Sequence, residues 1–414
     1  MRIIDFFTKE EKTFNGNLLN VYVCGPTVYG HAHIGNIRPV LIFDILNRSS
    51  NLNYVHNITD IDDKIIKKAN ELGISEKEVA EKYEKEYLNL LDSLNIIRPT
   101  HIPRVTDNIE GMVKFVSKLI EKEYAYESNG SVYFSVNKWK NYGYIANINI
   151  DTLLDEEKSD DKKDQKDFAI WKATNEGVRF ESPWGMGRPG WHTECSYFLD
   201  KYFEDNGIDI HGGGIDLKFP HHVNEIAQYE AYHGKKMNNP WVYIGHVSMK
   251  NEKMSKSLGN VILAKDFVKE HGYDVLKHLL LSNQYLKPIN VTEDSILNSV
   301  NSMKKIKNSL IKTMMEFARE ISIEPKPTKK SIDAIKNNLD TNSVFTNIFS
   351  SIGSLNNKEI SERNNIFNDV LGDLSLLGIE YKIKFDENKE SILKGKKDKD
   401  YETLDKIREE ILTC

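Results

Sequence analysis

The stretch from Leu18 to Asp63 limits the fold more than any other. It reads "LLNVYVCG", a loop "PTVYGHAHIGN", then "IRPVLIFDILNRSS" and "LNYVHNITDIDD". The outer pieces are short apolar runs rich in strand formers, the first closed by Gly25 and Pro26. The middle piece spaces Val40, Leu41, Phe43 and Leu46 with the period of a helix. Strand, helix, strand is a βαβ unit, and such units build parallel sheets. The expected fold class is therefore α/β, with a Rossmann-like parallel sheet near the N-terminus.

The remaining chain is too long for one small core. Its 414 residues call for roughly two to four domains. Residues 185–262 regain strand and glycine signals at "RPGWHTECS" and "NGIDIHGGG". Residues 1–100 and 185–262 are read as one split catalytic domain. Residues 101–184, an insertion of roughly 80–90 residues, are read as a connective domain. The charge run Asp155–Asp167 within it reads as a solvated loop. Residues 263–414 read as almost wholly helical, carried by "SILNSVNSMKKIKNSLIKTMMEFAREI" and "SVFTNIFSSIGSLNN", with "EPKPTKK" as a linker.

Composition excludes several classes. No apolar run reaches the ~20 residues of a membrane span, and "MRIIDFFTKEEKTF" has no signal-peptide core. The net charge of −6 gives no global nucleic-acid footprint, although a local basic groove is compatible with it. Cys24, Cys195 and Cys414 are the only cysteines, an odd and sparse set that fits a reducing cytoplasm rather than a disulfide framework.

Three motifs carry chemistry. In "HAHIGN", His33, Gly35 and Asn36 sit where a loop enters a helix, a position that favours phosphate. The same residues also fit a turn in which Asn36 caps the helix. In "NEKMSKSLGN", Lys253 and Lys256 flank Ser255 on a glycine-containing stretch suited to charge on a polyphosphate. In "HGGGIDLKFPHHVNE", His221 and Glu225 stand at i and i+4, on one face of a helix. Neither GxxxxGK[ST], GxGxxG nor HExxH is present.

Six ordered blocks carry a resemblance: "VYVCGPTVYGHAHIGNIRP", "NITDIDDKIIKKANELG", "LNIIRPTHIPRVT", "SPWGMGRPGWHTECS", "DIHGGGIDLKFPHHVNEIAQ" and "EKMSKSLGN". From about Val21 to Asn260 the chain resembles the bacterial cysteinyl-tRNA synthetases, within class I of the aminoacyl-tRNA synthetases. The resemblance implies one Zn2+ per chain, held by Cys24, Cys195, His221 and Glu225. Thiolate, imidazole and carboxylate are ordinary zinc donors. His222 is expected to point away from that set, toward a bound ligand or the groups behind the zinc ligands. The resemblance further implies His33, Asn36, Lys253 and Lys256 as catalytic residues. It gives His33, Gly35, Asn36, Gly212, Gly214, Asp216 and Lys256 to ATP. Thr27, Thr59, Trp191, His192 and Asp216 fall to the amino-acid substrate.

The implied reaction joins L-cysteine to ATP with Mg2+, then transfers cysteine to the 3′-terminal adenosine of tRNA(Cys). The zinc would select the thiolate, so no editing domain is required. The helical C-terminal region would contact the tRNA stem and anticodon. A monomer acting in the cytoplasm is the expectation. Two departures stand out. Asn36 takes the place of a usual histidine, and the chain ends at Cys414, where family members commonly continue into a small strand-containing segment. The main alternative is a cysteine ligase of the same superfamily acting on an amino sugar; a non-catalytic RNA- or metal-binding protein is a second.

Overall fold

The computed structural model describes residues 1–16, 18–142, 159–204, 207–237, 239–249, 252–254, 261–355 and 358–413. Lys256 and the first four residues of the charge run, 155–158, therefore lie outside the described residues, as does Cys414. A short antiparallel hairpin, β1 (Arg2–Ile4) and β2 (Glu11–Thr13), leads in. The expected βαβ unit follows as β3 (Leu19–Val23), α1 (Ile34–Ser49) and β4 (Leu52–His56). Strand β3 is buried at four of five positions, as a strand covered on both faces must be. Next come α2 (Asp63–Leu72) and α3 (Glu76–Ser93), separated where Gly73 adopts φ 65° and accepts a left-handed helix end.

Helix α4 (Ile109–Glu121) precedes an antiparallel sheet of β5 (Ala125–Ser128), β6 (Ser131–Phe134), β7 (Phe168–Ala173) and β8 (Gly187–Pro189), paired in that order. The chain then returns through α5 (Trp191–Phe203) to β9 (Ile210–Gly214), α6 (Val223–His233) and β10 (Trp241–Ile244). The two halves meet in one parallel sheet of order β10-β9-β3-β4. The strands all run the same way, and the order in which they are added reverses between β3 and β9. Ligands of open α/β sheets bind at such a point, outside the carboxyl ends of the strands.

Strands β11 (Val247–Met249) and β12 (Glu252–Lys253) form the next hairpin. Helices α7 (Ala264–His271) and α8 (Tyr273–Leu281) lead to β13 (Ile289–Val291), which pairs in parallel with β11. Helices α9 (Glu293–Glu316), α10 (Lys329–Lys336), α11 (Thr341–Ser354) and α12 (Ile360–Leu376) follow. A last pair of strands, β14 (Lys382–Ile383) and β15 (Leu412–Thr413), brackets α13 (Phe385–Asp398) and α14 (Tyr401–Glu410). The region after residue 260 is thus mainly helical but carries three short strands that helical periodicity does not reveal. No helix is long and apolar enough to cross a membrane among the described residues.

Buried polar groups tie α1 to its surroundings. Arg38 is fully buried and donates to the carbonyls of Gly245 and Lys287, each at 2.7 Å, and of Gln284 at 3.2 Å. Those carbonyls cap the end of β10 and the turn before β13, so one guanidinium fixes α1 to both. Deeper along α1, Asp44 pairs with Arg48 at 2.9 Å. The buried Lys277 of α8 lies 3.9 Å from the same carboxylate and donates to the Gly378 carbonyl at 2.8 Å. The C-terminal half of α1, α8 and the loop after α12 therefore belong to one continuous packed body with a shared hydrophobic cluster.

Candidate functional site

A cleft of about 340 Å³ opens at the carboxyl ends of the parallel strands. Its lining includes Cys24 and Thr27 after β3, His33, Gly35 and Asn36 at the start of α1, and Gly214 and Asp216 after β9. Trp191, at the first position of α5, completes one side.

The α1 start is built by a reciprocal cap. His33 is the N-cap, its Nδ1 accepting from the Gly35 N–H at 3.1 Å, while Asn36 Oδ1 accepts from the His33 N–H at 3.1 Å. Asn36 is thus the third helical residue of a capping box rather than the cap expected from sequence. Its amide oxygen is spent on the backbone, and its N–H donors are left for the cleft. Backbone pairing ties this turn to the segment after "KMSKSLGN": the Ile34 N–H donates to Ile262 and the Ala264 N–H to Ala32, each at 3.0 Å. The backbone of Lys253 lies in β12.

Cys24, in the cleft wall, joins a group of potential metal-ligating side chains buried behind it. Cys24 leaves the end of β3, where Gly25 makes room: a Cβ there would sit 1.5 Å from the Asn57 carbonyl oxygen. Asn57 Oδ1 accepts from the Gly25 N–H at 2.9 Å and from Tyr22 Oη at 3.0 Å, so the β3 and β4 ends are locked together. Glu225 and His221 come from the first turn of α6 and the turn before it, with His221 Nε2 2.7 Å from Glu225 Oε1. The Cys24 thiol lies 3.4 Å from the same oxygen. Cys195, on α5, places its sulfur 3.6 Å from His221 Nε2.

All four ligands expected from sequence are thus brought together, and a fifth group joins them. His222 does not point away. Its Nε2 is 3.3 Å from the Cys24 sulfur, and its Nδ1 is held 2.8 Å from Tyr243 Oη. The donor atoms of Cys24, His221, His222 and Glu225 all lie within 4.8 Å of one another. The tight turn before α6 turns both histidines inward, which spacing along a regular helix could not predict.

The electrostatics demand a positive charge here. Burial alone would raise Glu225, but His221, His211 and His222 together hold its carboxyl well below the ordinary range. Burial opposes the charged form of His221, yet Glu225 and Cys195 push it up to about 10. Burial and the neighbouring thiol and carboxylate push the Cys24 thiol up. A proton on His221 answers the buried carboxylate when no cation is bound; a divalent ion would answer it instead and release that proton. Donor chemistry, convergence and charge all fit a zinc-type site. The two oxygens of Glu225 are divided in use: Oε1 faces the cluster, while Oε2 lies 2.7 Å from His211 Nε2. His211 was not foreseen from sequence; it sits inside "DIHGGG", where the glycines drew the attention.

The other expected contacts separate. Thr27 lines the cleft, and His192 borders an adjoining cavity of about 600 Å³, with its Nδ1 2.8 Å from His221 Nδ1. Trp191 borders both cavities. Thr59 is buried, and its hydroxyl donates to Glu194 at 2.7 Å, which braces the strand end. Gly212 is packed in the sheet. A Cβ there would meet the Phe43 ring and the Val242 carbonyl at 2.4 Å, so this glycine serves helix–sheet packing, and Gly214 alone of the expected pair reaches the cleft.

The chain is similar to known proteins over its whole length. A family described as tRNA synthetases class I (C) catalytic domain matches residues 10–301. The cysteine–tRNA ligase of Malacoplasma penetrans is 40% identical, over 99% of this chain and 98% of the relative. That of Streptococcus thermophilus is 39% identical, over 99% and 96%. Among solved structures, Mycobacterium tuberculosis methionyl-tRNA synthetase with methionyl-adenylate superposes with a TM-score of 0.62 at 12% identity, covering 91% of this chain and 93% of that one. At that identity the likeness is one of fold.

Proposed function

The chain belongs to the cysteine–tRNA ligases, a class I aminoacyl-tRNA synthetase family, and from that premise we propose how its residues divide the reaction. Cysteine and ATP meet in the cleft to give cysteinyl-adenylate and pyrophosphate, and cysteine then passes to the 3′-terminal adenosine of tRNA(Cys). The observation that carries this reading is the adjacency of two parts. A buried thiol–imidazole–carboxylate cluster adjoins a cleft that also contains the capped start of α1.

Cys24, Cys195, His221 and Glu225 would hold zinc, with His222 beside them. Bound there, the metal would favour a thiolate and so separate cysteine from serine without editing. The rest of the work is positioning and charge. His33 and Asn36 offer donors to the phosphates at a helix N-terminus, and Lys253 and Lys256 add positive charge as pyrophosphate leaves. Magnesium would accompany ATP. Thr27, Trp191 and His192 shape the amino-acid end, while Gly35, Gly214 and Asp216 border the nucleotide. No side chain acts as a nucleophile, because oriented reactants and preorganised charge suffice.

Residues 1–100 and 185–262 would form the catalytic domain, 101–184 the connective insertion, and 263–414 the part that meets the tRNA. Relatedness along the whole chain, helical region included, favours a tRNA acceptor over an amino sugar. The reading describes a monomer in the cytoplasm. Cysteine-dependent ATP–pyrophosphate exchange, run before and after complete zinc removal by a chelator, tests it. Exchange should be abolished by removal and restored by added zinc. Exchange unaffected by verified metal loss would refute the selector role, and no cysteine-dependent exchange at all would refute the reading.

A further inference from the structure

We propose that Lys64 is a charge-stabilising catalytic residue of the adenylation step, a role that rests on the reading just given. Among the described residues lining the cleft, Lys64 is the one lysine, no arginine appears, and Asp216 is the one carboxylate. A cleft that takes ATP and an amino-acid carboxylate therefore carries a single long-chain cation on its described walls.

The start of α2 explains how Lys64 comes to face it. Three charged residues in a row fan out, because neighbours on a helix lie about 100° apart. Asp62 caps the helix, accepting from the Lys64 N–H at 2.8 Å. Asp63 turns toward the antiparallel sheet, where it pairs with Lys172 at 3.3 Å and with Arg188. Lys64 turns to the cleft. Its ammonium lies 5.6 Å from the centre of the Tyr29 ring and 5.9 Å from that of Trp191, both of which line the cleft. These distances lie within cation–π range, and the two rings narrow the volume the ammonium explores. The charge of Asp62 is felt nearby, yet no salt bridge to Lys64 occurs among the described residues. A helix-start lysine that only solvated its helix would have no reason to be set between two rings of the cleft.

The chemistry calls for such a charge. A carboxylate oxygen of cysteine forms a bond to the α-phosphorus of ATP. The bond from that phosphorus to the pyrophosphate oxygen breaks, and the oxygen keeps the electron pair. Two anions must therefore approach each other before any bond forms, and a fixed cation beside both lowers the barrier. Trp191 borders the amino-acid end, so the ammonium stands where the carboxylate would enter. Lys64 forms no bond and contributes charge alone.

The test is cysteine-dependent ATP–pyrophosphate exchange with the full zinc-loaded chain, comparing wild type with Lys64→Met and Lys64→Arg. Lys64→Met should lower kcat about 10- to 100-fold. Its KM for cysteine should shift less than about threefold, with zinc content and melting temperature unchanged, as expected when an interaction made mainly in the transition state is lost. Lys64→Arg should recover at least about tenfold of that loss, because charge and not shape is being replaced. An active wild type with Lys64→Met inside about twofold of it overturns this inference alone. Equal losses in the Met and Arg variants, or a loss confined to KM, overturn it as well. A wild type without exchange overturns the inference together with the reading on which it rests.

Discussion

Replacing His211 with phenylalanine should weaken zinc binding about 10- to 100-fold, although His211 is not among the expected ligands. The geometry sets the magnitude. Glu225 is fully buried and uses its oxygens separately, Oε1 toward the ligand cluster and Oε2 toward His211 at 2.7 Å. His211→Phe keeps a ring of similar size, which can still stack on Trp241, now 4.2 Å away at 23°. What is lost is one buried hydrogen bond to a carboxylate, worth about 1.5–3 kcal/mol. At about 1.4 kcal/mol per tenfold, that range matches the affinity loss expected for removing a partner of a metal-ligating group. Without the anchor, Glu225 Oε2 has no remaining donor among the described residues and the carboxylate can rotate off its line to the cluster. The assay is competition for zinc against a chromophoric chelator, with circular dichroism to verify folding. A folded His211→Phe chain that binds zinc within about twofold of wild type would show that the division of Glu225 between two partners does no positioning.

Two further outcomes follow from the same structure. Asn36→Ala should cost about 1 kcal/mol of stability through the lost capping box, but should lower cysteine-dependent exchange by about tenfold or more; urea denaturation and exchange assays separate the two, and an exchange rate that is unchanged would leave Asn36 a cap only. Burial pushes the Lys277 ammonium down to about 7 from its ordinary 10.5, so between those values the unfolded chain holds a proton that the folded chain lacks. Stability should rise with pH across that window, by up to about 1.4 kcal/mol per unit from this group, and Lys277→Met should show a flatter rise in urea midpoints between pH 7.5 and 9. Equal slopes in the two proteins would rule out this account of Lys277.

How legible the molecule is in its sequence varies with distance along the chain. The βαβ unit is readable because strand and helix periods are local, and β3, α1 and β4 fall where the apolar spacing places them. The break at Gly73 is readable for the same reason, since one residue supplies the left-handed turn. Strand β13 is missed because Ile289–Val291 is only three residues long and gains its identity from pairing with β11, about forty residues earlier.

At the site the line falls between residue type and direction. Sequence by itself determined that thiol, imidazole and carboxylate donors exist in this chain, and that His221 and Glu225 stand four positions apart. Only the tertiary structure decided that Cys24 and Glu225, 201 positions apart, stand within 3.4 Å of each other. It also turned His222 inward, set Thr59 behind the cleft wall, and aimed Lys64 between two rings. The physical reason is one of range. Backbone period and capping depend on neighbours a few residues away, which the sequence displays. The direction of a side chain depends on which elements pack around it, and here those elements come from opposite halves of a parallel sheet closed only by the completed fold.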